Sequence, residues 1–186
     1  MKYILPVLLG LCLASGAARA EDWPQISTLT IARGIYKISR APGIVETHSE
    51  HGFTEPVADF HLTESTTNVP ACLGMTFGFQ YAVIGKPIGT SLPLHSVTIP
   101  PQDMHDPQVA KPIHTVTSDS TGLIGGQGFS AYTFDYAWEL VPGIWTFQLW
   151  YGEQEILEEK FNVTLNCNNV SWSPELPTWL RSAALR

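Results

Sequence analysis

Met75-Thr76-Phe77-Gly78-Phe79-Gln80-Tyr81-Ala82-Val83-Ile84 alternates bulky apolar residues with small or polar ones at a period of two. Successive side chains of a strand point to opposite faces, so Met75, Phe77, Phe79, Tyr81 and Val83 line one face and turn it to a core. The same reading extends to Phe129–Trp138, with Tyr132, Phe134, Tyr136 and Trp138 on one face. Ile144–Tyr151 repeats it with Trp145, Phe147, Leu149 and Tyr151, and Leu157, Phe161, Val163 and Leu165 line a final strand. Pro142-Gly143 and Gly152-Glu153-Gln154 carry turn chemistry between these runs, which predicts a three-stranded meander.

Earlier in the chain, Thr28–Ile38 reads as a strand with a bulge near Gly34, because Leu29 and Ile31 are out of phase with Tyr36 and Ile38. Asp59–Thr63 and His95–Ile99 are shorter candidates. No segment holds a helical period over three turns, and 14 prolines and 15 glycines punctuate the chain at strand-like spacing. The expected class is all-β with little helix. About seven or eight strands, each with one apolar face, are best buried as an antiparallel two-sheet sandwich, with a closed barrel as the alternative. Pro100–Gly128 and the tail Ser171–Arg186 read as irregular.

Residues 1–20 have the pattern of a cleaved signal peptide: Lys2, an apolar run Ile4–Leu13, and the small-x-small site Ala18-Arg19-Ala20. The apolar run is too short to span a bilayer, which needs about 20 residues, so an integral membrane protein is not expected. Cys12 leaves with this segment, since Leu11 stands where a lipoprotein needs a small residue. The organisation expected is a signal peptide over 1–20, a single β-sandwich domain over 21–170 and a Trp-containing tail over 171–186, docked or flexible. Loss of Lys2 and Arg19 leaves 8 basic against 17 acidic residues, a formal charge of −9. Such a surface is a poor partner for nucleic acid. Cys72 and Cys167 remain, 95 positions apart, and in an oxidising compartment they are expected to form a disulfide. A metal-thiolate pair is the weaker alternative, because no CxxC spacing supports it.

The run Trp138-Glu139-Leu140-Val141-Pro142-Gly143-Ile144-Trp145-Thr146-Phe147, then Gly152 and Glu159-Lys160-Phe161-Asn162-Val163, resembles the end of a bacterial exported family known only as domain of unknown function 3859. Gly34-Ile35-Tyr36 and Gly78-Phe79-Gln80-Tyr81 look like its earlier landmarks, so the resemblance covers about Leu29–Leu165. It implies an immunoglobulin-like sandwich and export, and brings no reaction or catalytic residues.

The candidate chemistry is sparse. Glu46-Thr-His48-Ser-Glu50-His51 offers zinc or copper ligands, and Met104-His105-Asp106 with Met75 offers a softer copper set. Against these, a polar loop is usually only solvated, and Met75 fits the core face, so no metal site is expected at His48, His51 or His105. No nucleophile elbow occurs, and Gly125-Gly126-Gln127-Gly128 lacks the Lys and Ser or Thr of a phosphate loop. Asp135, Glu139, Glu158 and Glu159 are available for glycoside hydrolysis, which their separation in space would decide. Trp150 lies opposite the core-facing row of its strand and, with Trp172 and Trp179 of the tail, is the candidate binding surface. Core packing or cover by the tail competes with that reading for Trp150.

The functional expectation is a periplasmic or secreted, non-enzymatic binding module without a cofactor. It would engage an unidentified protein or cell-envelope component through loops or an exposed edge strand. A metal-handling protein and an envelope-polymer hydrolase are the alternatives.

Overall fold

The computed structural model describes residues 25–41, 45–46, 53–54 and 57–167. The signal-peptide segment 1–20 and the tail 171–186 lie outside the described residues. Eleven strands follow one another: β1 (Ile26–Arg40), β2 (Val45–Glu46), β3 (Phe53–Thr54), β4 (Val57–Glu64), β5 (Asn68–Pro70), β6 (Thr76–Gly85), β7 (Ser91–Ile99), β8 (Val116–Leu123), β9 (Gln127–Thr133), β10 (Gly143–Tyr151) and β11 (Gln154–Thr164). Nine of them form two sheets, one ordered β4-β1-β6-β9 and the other β5-β11-β10-β7-β8, while β2 pairs with β3. The chain is a two-sheet β-sandwich with almost no helix.

The core is built from the face that the alternation of β6 marks out. Phe77 and Phe79 are fully buried, as are Trp145, Phe147 and Leu149 of β10 and Phe161 of β11. The Phe77 ring is central to this layer. It meets Trp145, Phe147 and Phe161 edge-on at 5.7, 5.4 and 5.4 Å and lies tilted against Phe134 at 5.1 Å. Edge-to-face contacts of this kind add to the area that the rings bury, so Phe77 joins three strands of two sheets.

Several local expectations are corrected. β9 stops at Thr133, and Tyr136 and Trp138 do not continue it; a short 3-10 turn, Ala137–Glu139, follows instead. The meander is not three-stranded. β10 and β11 form a hairpin, whereas β9 pairs with β6, so the chain changes sheets between β9 and β10. The span 100–128 contains β8 in full and the start of β9, together with a bridge between Met104 and Ile113. Leu165 lies beyond the end of β11 and is 66% exposed rather than part of the core row.

The bulge expected near Gly34 is present as two register shifts flanking it, at Thr30/Ala32 against β6 and at Ile35/Tyr36 against β4. Gly34 has φ +151, and a Cβ there would sit 1.9 Å from the Glu64 carbonyl oxygen. Only glycine fits that position.

Cys72 and Cys167 are bonded, with Cα atoms 5.4 Å apart. They join neither adjacent antiparallel strands nor facing sheets. β5 runs parallel to β11, Ala71 N–H donates to the Thr164 carbonyl at 2.7 Å, and the disulfide ties the two chains as they leave that parallel pair. A three-residue strand has little pairing energy of its own, so the covalent link holds it where hydrogen bonds alone are few.

Phe77→Ala should lower the unfolding free energy by about 3–5 kcal/mol, the usual loss for emptying a buried phenylalanine site, as read from urea denaturation. A loss below about 1 kcal/mol would show that the sheets are held elsewhere.

Candidate functional site: a groove at the open edge of the sandwich

The two lateral edges of the sandwich differ. At the β1/β11 edge, Glu159 faces inward from β11 and is buried, accepting from Thr30 Oγ1 at 2.6 Å and from Arg33 at 2.9 Å. Thr28 Oγ1 donates to the Ile156 carbonyl beside it. These side chains lace the sheets together.

The β9/β8 edge is built differently. The four-stranded sheet ends at β9, while β8 ends the five-stranded one. β8 leads into β9 through a turn at Ile124–Gly126, where buried Ile124 closes the gap at one end. Between the strands lies a cavity of about 280 Å³ that wraps round the edge of β9. Phe129, Ala131 and Thr133 of β9 line it together with Ile38, Arg40 and Val57. Ser130 and Tyr132, on the other face of β9, line it with Ser96, Thr98, Val116, Ser118 and Ser120 of β7 and β8. By the register of β7 against β10 and β8, this hydroxyl-rich row is the inward face of the five-stranded sheet. At the centre of the sandwich the facing strands meet through aromatic and aliphatic residues; here serine and threonine remain because no described strand covers them.

The backbone of β9 determines what this groove offers. Phe134 N–H donates to the Met75 carbonyl at 3.0 Å. In an antiparallel pair the peptide groups alternate, so Phe129, Ala131 and Thr133 turn their N–H and C=O away from β6 and toward the groove. Among the described residues no strand lies beyond β9 to receive them.

The exit of the chain from β9 is held by Glu139, which is fully buried. Its carboxylate accepts from the Tyr132 hydroxyl at 3.0 Å and from the Tyr136 N–H at 2.7 Å. This grip ends the strand and forms the 3-10 turn. Asp135 there receives Arg40 at 3.2 and 3.3 Å. Thr76 and Thr133 share a hydrogen bond of 2.8 Å at the same end.

On the outer face of the four-stranded sheet, Phe60 stacks on Phe129 with centroids 4.3 Å apart, and Tyr36 meets Phe129 edge-on at 4.9 Å. The Tyr36 hydroxyl is buried and, among the described residues, has no well-aligned hydrogen-bond partner. Burial raises its ionisation above the ordinary 10.0, and the Gln80 peptide group pulls it part of the way back.

Other candidates fall elsewhere. Trp150 is half-buried on the outer face of the five-stranded sheet, in register with His95, and its indole N–H donates to Gln148 at 3.2 Å. Gln148 donates in turn to Glu158, which Lys160 also contacts at 2.9 Å; hydrogen bonds from Lys160 and Gln148 hold that carboxyl below its ordinary range. Trp150 is therefore tethered within a polar row. Tyr136 and Trp138 stack on each other, 5.6 Å apart, and share no strand face with Trp145 or Tyr151. His48, His51, Trp172 and Trp179 lie outside the described residues. Met75 and Met104 are buried in the core and His105 is exposed, so the softer copper set does not assemble. Among the described residues no group of three or more His, Cys, Asp or Glu could hold a metal ion. The carboxylates considered for hydrolysis are dispersed: Glu139 in the turn after β9, Asp135 against Arg40, Glu159 at the opposite edge and Glu158 on an outer face.

Sequence pattern alone does not reveal the groove, because β8 has no apolar row to betray it. Its β-branched Val116, Thr117 and Thr121, ending at Gly125-Gly126, were the available signal.

Glu139→Ala should cost about 1–3 kcal/mol, since it removes the carboxylate that accepts from the buried Tyr132 hydroxyl and from the Tyr136 N–H. Thermal or urea unfolding measures it, and a change within about 0.5 kcal/mol would mean that Glu139 does not set this end of the groove.

The family model described as Domain of unknown function (DUF3859) matches residues 30–163. The chain belongs to that family. A solved structure described as an immunoglobulin-like protein from Pseudomonas aeruginosa is 24% identical, with 69% of this chain and 97% of that one covered and a TM-score of 0.49. No curated protein matches the chain.

Proposed function

We propose that this member of the DUF3859 family is an exported, non-enzymatic binding module that takes up an extended polypeptide segment as an added strand on β9. One observation carries the reading: the outward peptide groups of Phe129, Ala131 and Thr133 face a gap above an inward row of uncovered hydroxyls. Main-chain hydrogen bonds to the edge give such binding its affinity, and the walls on either face choose alternate side chains. The walls here differ. Phe129, Ile38 and Val57 favour apolar residues on one face of the incoming strand, and Ser96, Ser118 and Ser120 favour small hydroxylated ones on the other. Arg40 and Asp135 are engaged with each other at the mouth, so the groove itself has no strong charge preference.

Export is supported by the Met1–Ala20 pattern, and the Cys72–Cys167 disulfide is compatible with an oxidising compartment. No described helix is long and apolar enough to cross a membrane. The non-enzymatic reading is supported by the engagement of Glu139, Glu159 and Asp135 in holding the fold.

An array of synthetic ten-residue peptides, alternating hydroxylated with aliphatic or aromatic residues, tests the groove. Some should bind with micromolar Kd, and Ala131→Pro should weaken them at least tenfold without moving the melting temperature. The proline removes an outward N–H and leaves the ladder to β6 whole, as edge strands tolerate. No binding, or equal binding by the variant, would refute strand addition.

Export has its own check. N-terminal sequencing of the chain from an envelope fraction should begin at Glu21, and a cytosolic product retaining Met1 would contradict it.

A further inference from the structure

The other terminal strand of the four-stranded sheet, β4, carries side chains that are complementary to themselves. We infer that two copies of this chain associate through β4, pairing antiparallel about a two-fold axis at Phe60, so that their four-stranded sheets continue into one of eight strands. This pairing is independent of strand uptake on β9.

The outer edge of β4 is open among the described residues. β4 begins the order β4-β1-β6-β9, and no described strand lies beyond it. Seven of its eight residues are exposed, with Phe60 half-buried. The Phe60 N–H donates to the Asp59 Oδ1 at 2.8 Å, so that peptide group is not spent on β1. A carboxylate from the preceding residue holds the place of a neighbouring strand's carbonyl. Peptide groups alternate along an antiparallel strand, so Leu62 turns its N–H and C=O the same way as Phe60. Val57–Glu64 has no proline, lysine or arginine, the residues that commonly blunt an edge.

The side chains then fix the partner and the register. The Phe60 ring turns to Tyr36 and Phe129, and its neighbours Asp59 and His61 project from the opposite face. Asp59 and His61 are 61% and 73% exposed, with His61 Nε2 2.8 Å from Asp59 Oδ2. Two identical strands paired about Phe60 exchange hydrogen bonds between the two Phe60 peptide groups and set Leu62, itself 39% exposed, opposite Ala58 of the second copy. Asp59 of each copy comes to face His61 of the other. These are non-hydrogen-bonded positions, where facing Cα atoms are about 4.5 Å apart and cross-strand side chains interact most closely. A carboxylate thus meets an imidazole twice. An axis at Asp59 or at His61 sets like side chains face to face instead, so side-chain chemistry selects Phe60.

Sedimentation of the full chain across a wide concentration range should show a monomer–dimer equilibrium with a micromolar Kd. His61→Asp leaves only carboxylates around the axis, and Asp59→Lys leaves only basic side chains. Each alone should weaken dimerisation about tenfold, because two symmetric pairs are lost together. An equimolar mixture of the two variants faces the introduced lysine with the introduced aspartate and keeps one native Asp59–His61 pair, so it should associate at least as tightly as the unaltered chain. Both substitutions are at exposed positions, so the melting temperature of dilute protein should not change. Hydrogen exchange should slow at Phe60 and Leu62 as concentration rises, with the amides of β6 unchanged. A chain that stays monomeric throughout would overturn the inference. So would a dimer whose Kd neither variant moves, or a mixture that associates no better than each variant alone.

Discussion

The edge-on packing of Phe77 against Trp145, Phe147 and Phe161 is the contact from which the rest of the molecule follows. It sets β6 over β10 and β11 and concentrates the large rings along the middle of the sandwich. Aromatic residues bury much area in few positions, so a thick centre forms with few strands. The strands to either side are then closed by other means.

At one side those means are polar. Glu159 faces inward, where a carboxylate would be costly if alone, and Thr30 and Arg33 satisfy it across the sheets. At the other side the strand count differs: β9 is the last strand of its sheet, and the inward hydroxyls of β7 and β8 are left beside a cavity. Exposed strand edges invite pairing with another chain, and proteins ordinarily cover or blunt them. This edge keeps a defined end, because Glu139 grips Tyr132 and Tyr136 and so fixes where β9 stops. Glu139, one of the carboxylates considered for hydrolysis, thus acts as a strand terminator.

The Cys72–Cys167 disulfide connects these two themes. It fastens the short parallel strand β5 to β11, and two residues after Cys72 the Gly74 N–H donates to the Phe134 carbonyl just past β9. One covalent link therefore secures the weakest pairing of the five-stranded sheet.

Much of this was legible in the residues themselves. Strands whose core row is bulky, such as β6 and β10, announce themselves because burial demands alternation, and their side chains point where the period of two puts them. Trp145 and Tyr151 are inside for that reason, and the bulge around Gly34 shows as a break in phase. Partnership between strands is a different matter, since a strand's own pattern does not say which neighbour it will hydrogen-bond. Hence Phe129–Trp138 reads as a long strand next to Ile144–Tyr151, whereas β9 ends early at Thr133, before the turn that Glu139 holds, and pairs with β6 in the other sheet. β8 stayed hidden because an uncovered strand needs no apolar row. The sequence by itself determined the all-β class, the core face and the pair of cysteines, all consequences of local periodicity and composition. Only the tertiary structure decided that β9 is, among the described residues, the last strand of its sheet, because pairing between residues far apart in the chain sets which strands lie at the edges.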